Sequence, residues 1–302
     1  MKTFGMEIEM HNFFEGWYMK CQSDKHTVAV IPAIHRNGEN YHCSIQVITK
    51  EEAWNITFPI WMLQRVRCRG KGEIFMIGDN VFHRQGMYLS LHTASLQLEG
   101  CIKYGRLTPL KYDIMGPFSF VPFMECRHKV FSMHHRVNGN LLINGKKYVF
   151  RNAAGYWEGD RGTSFPKEYL WTQCHFKEGS LMLSVAEIPL GKINFTGVIG
   201  VVYWKGKEYR FATYLGAKIV TLENGYVRIT QGKKEVEAYL LEKRPSALKA
   251  PAQGNMVRTI HESAESRAYY RFSIGGGTMF SLKTDRAAFE YEYKKCYCSE
   301  SS

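Results

Sequence analysis

The chain has 302 residues, of which 45% are hydrophobic and 14% aromatic, so it can bury a large core and is not a disordered tail. Forty Lys and Arg against 28 Asp and Glu give a net charge of +12, which favours anionic surroundings but names no substrate. The longest stretch without Asp, Glu, Lys or Arg, Gln85 to Leu98, is 14 residues long and contains His92. A membrane-spanning helix needs roughly 18–20 apolar residues, so none is expected.

Along the chain, Glu7 and Glu9 stand where a signal peptide carries its apolar region, which makes a cytoplasmic location the expectation. The eight cysteines are scattered and, in that compartment, expected to be reduced. Phe13-Phe-Glu-Gly-Trp-Tyr18 sets one carboxylate, Glu15, among aromatics that include Trp17, a pattern that fits edge packing as well as a pocket wall. Asn-Gly at 37–38, 138–139, 144–145 and 224–225 predicts tight hairpin turns, because both residues tolerate positive φ. Pro59 breaks any helix over Glu51 to Val66. The basic run Arg65 to Lys71 has neither a recognition helix nor stacking bases' aromatics beside it, so no nucleic-acid partner is expected. A peripheral contact with an anionic membrane surface suits that run better.

Gly116-Pro-Phe-Ser-Phe-Val-Pro122 reads as a linker, Met256 to Ala264 as the best helix, and Gly275-Gly-Gly277 as a hairpin turn. Alternating segments such as Tyr209-Arg-Phe-Ala-Thr213 add half-wet strands. The sum is an all-β protein of antiparallel hairpins with few short helices, whose sheets hide their edges by closing into barrels. Trp17-Tyr-Met-Lys-Cys21 followed by Val28-Ala-Val-Ile-Pro32 echoes Trp171-Thr-Gln-Cys174 followed by Val185-Ala-Glu-Ile-Pro189, which suggests two similar halves. The linker divides them into residues 1–122 and 123–302.

The densest chemistry lies in Gly155 to Cys174, where Glu158, Asp160 and Glu168 are interleaved with Tyr156, Trp157, Tyr169 and Trp171. A carboxyl group among aromatics is disfavoured as an anion and can hold a proton as a general acid, a role for which Glu158 is the first candidate. Aromatic faces nearby stabilise a cation by about 0.5–2 kcal/mol each. Asp160 shares a strand face with Glu158 and is either its partner carboxylate or the ion-pair partner of Arg161. An ordinary surface loop with an ion pair explains the same residues. Met124-Glu-Cys-Arg-His128 with Ser132-Met-His-His135 offers metal ligands or an acid–base pair, but its spacing matches no zinc motif and a strand-borne hydrogen-bond network accounts for it more simply. No Gly-x-Ser-x-Gly elbow, phosphate loop or dinucleotide fingerprint is present.

Taken together, Phe14-Glu-Gly-Trp-Tyr18, Met124-Glu-Cys126 with His128, Ser132-Met-His-His135, Gly155-Tyr-Trp-Glu158 through Gly162, Phe165-Pro166, Trp171-Thr-Gln-Cys174, Phe211-Ala-Thr-Tyr214, Ala250-Pro251, Ile260-His-Glu262 and Phe289-Glu290 resemble the tocopherol cyclase-like family. That family is related to carotenoid hydratase-like proteins. The resemblance implies two consecutive lipocalin-like antiparallel β-barrel domains and a reaction without redox cofactor or metal. In it, a prenyl alkene of a prenylated hydroquinone is protonated and the phenol oxygen captures the cation to close a chromanol ring. Carried onto this chain, it implies Glu158 and Asp160 as catalytic residues. Tyr156, Trp157, Arg161, Trp171, Gln173, Glu15, Trp17, His128 and Tyr214 would line the substrate site, Asp160 or Gln173 orienting the hydroxyl. The partner expected is a lipophilic small molecule such as a prenylated quinol. Two other readings share the pattern: a noncatalytic lipocalin-like carrier, and a hydratase in which water captures the cation.

Overall fold

The computed structural model describes residues 12–68, 72–121, 124–190, 193–242, 246–252, 254–262, 264–293 and 297–298. Strands in chain order are β1 (Asn12–Gln22), β2 (Thr27–Asn37), β3 (Asn40–Ile48), β4 (Ala53–Pro59), β5 (Leu63–Cys68), β6 (Gly72–Ile77), β7 (Asn80–His83), β8 (Gly86–His92), β9 (Gln97–Tyr104), β10 (Cys126–Ile143) and β11 (Lys146–Gly162). They continue with β12 (Tyr169–Phe176), β13 (Gly179–Leu190), β14 (Ile193–Trp204), β15 (Lys207–Ala212), β16 (Lys218–Glu223), β17 (Tyr226–Gln231), β18 (Lys234–Glu242), β19 (Ser246–Ala252), β20 (Asn255–Glu262), β21 (Ser266–Ile274), β22 (Gly277–Tyr291) and β23 (Tyr297–Cys298). The helices among the described residues are three short 3₁₀ turns, at Ile60–Met62, Gly116–Phe120 and Thr213–Leu215.

The first sheet has 11 strands in the order β4-β3-β2-β1-β11-β10-β9-β8-β7-β6-β5, all neighbours antiparallel. Its two outer strands, β4 and β5, are consecutive in sequence and joined by Ile60–Met62 alone. A connection of three residues reaches only about 10 Å, so the sheet must curl until its edges meet. The second sheet, β15-β14-β13-β12-β22-β21-β18-β17-β16-β23, repeats the plan: a four-strand meander whose first strand pairs with the last long strand of its unit. The short connection Thr213–Ala217 curls it in the same way, with the Ala217 amide bonded to the Ala212 carbonyl at 3.0 Å. The expected pair of barrel-like antiparallel sheets is therefore present.

The halves divide differently from the expectation. One compact unit holds residues 1–110, 126–165 and 248–259; the other holds 111–125, 166–247 and 260–302. The boundary drawn at 122/123 fails because β10 and β11, with the acidic segment, pair into the first sheet: β1 lies against β11 from Phe14↔Gly162 to Gln22↔Ala154. Pro117 lies in the 3₁₀ turn Gly116–Phe120, within the second unit, and marks no domain boundary. Met256 to Ala264 is not a helix either. Residues 255–262 form β20, paired with β19, because Val257, Thr259 and Ile260 favour the extended chain over a nine-residue helical pattern. Of the four Asn-Gly pairs, Asn144-Gly145 and Asn224-Gly225 take positive φ at both residues (47° and 80°, 48° and 78°) and turn β10 into β11 and β16 into β17. The hairpin of β2 and β3 turns one residue later, at Gly38-Glu39, and Asn138-Gly139 sits inside β10 at a register shift.

Each sheet closes over its own apolar core. The first is filled by Trp17, Met19, Cys21, Val30, Ile45, Phe75, Phe82, Leu98, Val137, Phe150 and Trp157, and the second by Leu170, Cys174, Leu183, Val202, Phe211, Ile229, Tyr270, Phe272 and Phe289. The central strands are buried on both faces. In β1 the residues between the core positions, Tyr18 and Lys20, are themselves buried, Lys20 completely. The sheet thus has one apolar buried face and one polar buried face.

Candidate active site

Successive residues of a strand point to opposite faces. In β11 this places Tyr156, Glu158 and Asp160 on the polar face, while Trp157, Gly159 and Arg161 turn to the core side. Pairing in register brings Tyr18 of β1 opposite Glu158, Lys20 opposite Tyr156, and His128 of β10 opposite Asp160. His128 lies between the two acids: Nδ1 is hydrogen-bonded to Asp160 Oδ1 at 2.9 Å and Nε2 lies 3.1 Å from Glu158 Oε2. The Tyr156 hydroxyl donates to the same Oε2, and the Cys126 thiol reaches Asp160 Oδ1 at 3.5 Å. The Tyr18 and Tyr156 rings meet edge to face at 6.5 Å.

Burial grades along this line. The Glu158 side chain is 5% exposed, His128 9% and Asp160 22%, so the chain of contacts leads from a group that water reaches to one that it does not. Burial by itself pushes the His128 pKa down, but the pull of Glu158 and then Asp160, with a hydrogen bond to each, holds it well above the usual histidine value. The two acids thus favour the protonated form of His128. Burial, and after it the Glu158 charge, lifts the Tyr156 phenol well above its ordinary range, so Tyr156 stays a hydrogen-bond donor. The ligand atoms of His128, Glu158 and Asp160 all lie within 4.8 Å of one another, which is a spacing that a metal ion can use. A ligating histidine binds through one nitrogen and donates from the other to a carboxylate, as Asp160 would accept here, and the same arrangement also suits a proton shared between the three groups.

The other expected site residues lie elsewhere. Trp17, Trp157, Glu15 and Arg161 stand on the core side of the same strands, not beside Glu158. Trp17 stacks on Phe75 at 4.4 Å, Trp157 on Phe131 at 4.7 Å, Glu15 pairs with Arg65, and Arg161 lies over Phe13. Arg161 leaves β11 on the opposite face from Asp160. Trp171 and Gln173 belong to the second unit, on the face of β12 that also carries Tyr169, whose hydroxyl donates to Glu290. Tyr214 is a fastener of the second unit: its hydroxyl donates to the Ile114 carbonyl at 2.9 Å and its ring packs on Phe118. Farther along β10, His135 bonds to Ser132 Oγ at 3.0 Å, and Ser132 accepts the Thr108 amide, the hydrogen-bond network expected there. Lys20, Tyr18 and Cys126 lie outside the expected set; the alternation Phe14-Gly16-Tyr18-Lys20 is the sign in the sequence of a second face, which a Trp17 taken as pocket wall obscures.

Two curled antiparallel sheets, the first with Glu158, His128 and Asp160 gathered on one face of β10 and β11, define a lipocalin-like β protein. A family model described as tocopherol cyclase-like matches residues 90–265, more than half of the chain, and the chain belongs to that family. A protein named "Probable tocopherol cyclase, chloroplastic" from Oryza sativa subsp. japonica is 25% identical over 120 residues, a match that takes in 37% of this chain and 26% of that one. Among solved structures, CghA superposes with a TM-score of 0.58 at 10% identity, covering 93% of this chain and 88% of its own. Kievitone hydratase from Nectria haematococca gives 0.51 at 9% identity, covering 92% and 88%. At such identities the structural likeness is one of fold.

Proposed function

We propose that this protein is an enzyme of acid-catalysed addition to an alkene, closing a ring on a lipophilic phenol such as a prenylated hydroquinone. The observation that carries the reading is the line Asp160–His128–Glu158 with Tyr156 at its buried end. Alkene protonation demands a proton held where water does not compete for it, and a route by which it is replaced. His128 holds that proton between two carboxylates. Delivered through Glu158, it adds to one alkene carbon and leaves a tertiary cation on the other. The phenol oxygen then forms the C–O bond and releases its own proton, which restores the pair, so the reaction is an isomerisation and consumes nothing. Tyr18 and Tyr156 present ring surface to the cation. The fully buried Lys20 offsets charge on the same face, giving two cations and two carboxylates among the residues described for it.

A hydratase differs only in letting water capture the cation, and the fold shared with kievitone hydratase favours keeping that reading as the second. Incubation of the purified protein with a panel of prenylated hydroquinones, followed by chromatography and mass spectrometry, separates the two. A product of unchanged mass and shifted retention, absent with Glu158→Gln, supports the cyclase. A gain of one water supports the hydratase, and tight binding without product leaves a carrier.

A further inference from the structure

The two ring nitrogens of His128 meet different donors. Cys126 and His128 stand two residues apart on β10 and share a face, and Asp160 comes to that face from β11, in register with His128. Asp160 Oδ1 is the corner where they meet, 2.9 Å from His128 Nδ1 and 3.5 Å from Cys126 Sγ. Across the ladder from Cys126 is Gly162, which sets no side chain opposite it. At Nε2 the companions are the Glu158 carboxylate and the Tyr156 phenol. The Nδ1 end therefore collects a sulfur, a nitrogen and an oxygen, whereas the Nε2 end adds only oxygens to its nitrogen. Either nitrogen can bind a metal while the other donates to its carboxylate, and these donors favour Nδ1.

A zinc ion held tetrahedrally at about 2.0–2.3 Å keeps its ligand atoms about 3.3–3.5 Å apart, close to the 2.9 and 3.5 Å separations here. Access favours the same end, for the Asp160 side chain is 22% exposed and that of Glu158 only 5%. We propose that Cys126, His128 and Asp160 bind a thiophilic divalent ion of the zinc class, with Nε2–H donating to Glu158 and water completing the coordination. Binding releases the thiol proton and the proton between Nδ1 and Asp160, and the thiolate and carboxylate left behind balance the two charges of the ion. A thiolate beside an imidazole selects such an ion over magnesium or calcium. Cys126 and His128 match no zinc motif along the chain because the third donor arrives from another strand. The ion takes the nitrogen that shares a proton with Asp160, so it inhibits; that consequence, unlike binding itself, rests on the reaction proposed above.

The test is titration of the reduced, chelator-treated protein with Co²⁺, followed by absorption, and with Zn²⁺, followed by calorimetry. One ion per chain is expected at micromolar concentration, with a thiolate-to-cobalt charge-transfer band that Zn²⁺ abolishes. Cys126→Ser should remove the band, and both it and Asp160→Asn should weaken Zn²⁺ binding about tenfold or more, with circular dichroism unchanged to show that the fold is kept. Glu158→Gln, which ends the proposed proton delivery, keeps an oxygen towards Nε2 and should retain the band, so the site and the reaction stand or fall separately. A band that survives Cys126→Ser would place the ion at another cysteine and overturn the site. So would Zn²⁺ affinity indifferent to both variants, or no binding at micromolar concentration. Turnover untouched in the Zn²⁺-loaded protein would overturn the inhibition.

Discussion

The two sheets follow one plan, yet they treat their buried glutamate differently. In the first, Glu158 faces Tyr18 across β1 and β11; in the second, Glu290 faces Trp171 across β12 and β22. Each accepts a hydrogen bond from a buried tyrosine, Tyr156 or Tyr169. The third strand makes the difference. β10 runs out to Cys126, opposite Gly162 and well past Glu158, and so delivers His128. β21 starts at Ser266, opposite Ala287, short of Glu290, and puts no ladder partner there. A few residues of strand length on β10 are what set an imidazole beside Glu158.

The largest test of this contrast is catalytic. Glu158→Gln should lower turnover about 10²–10⁴-fold, the usual worth of a positioned acid, while Glu290→Gln leaves turnover of the same order. Equal losses in a rate assay would break the comparison. Next in size is stability: His128→Asn leaves two carboxylates facing each other without their cation and should cost about 3–5 kcal/mol in denaturant unfolding. Tyr169→Phe removes one hydrogen bond to a carboxylate and should cost about 1.5–3 kcal/mol in the same measurement.

The smallest effects are in pH dependence. A histidine whose folded pKa is raised contributes fully below its unfolded value of about 6.5 and loses that contribution as pH rises through the folded value. His128 should therefore give stability an alkaline limb, which His128→Asn flattens. His35 and His135 act in the opposite sense, because burial first, and then a neighbouring His42 or His134, lowers each to about 3. Their contribution is present above about 6.5 and declines as pH falls towards 3. Unfolding curves across that range should show the acid limb shrink in His35→Gln, at the cost of the 2.8 Å contact with Ser44.

Turn chemistry made the hairpins legible, since Asn144-Gly145 and Asn224-Gly225 fix their conformations locally. Glu158 and Asp160 were legible for a similar reason, as acids two residues apart in a strand. What escaped the sequence is set by distant partners. The pairing of β1 with β11 joins residues well over a hundred apart, and no local signal announces it, so the domain boundary was misplaced. The repeat misled in one detail: Trp17 and Cys21 are four apart and share the core face, whereas Trp171 and Cys174 are three apart and do not, so the two tryptophans are not equivalent. Lys20 escaped because a lysine in a strand reads as solvated until both faces are known to be covered.

The two-faced character of β11 also constrains how its gene can change. Replacing a residue alters one position, but inserting or deleting a single codon between Gly155 and Asp160 would exchange the faces of everything beyond it, sending acids into the aliphatic interior and tryptophan towards the imidazole. Only changes of even length preserve that parity. β10 is more forgiving, for its three register shifts show where an extra residue has been absorbed. Length variation among relatives should therefore gather in β10 and the hairpin turns and spare the central stretch of β11.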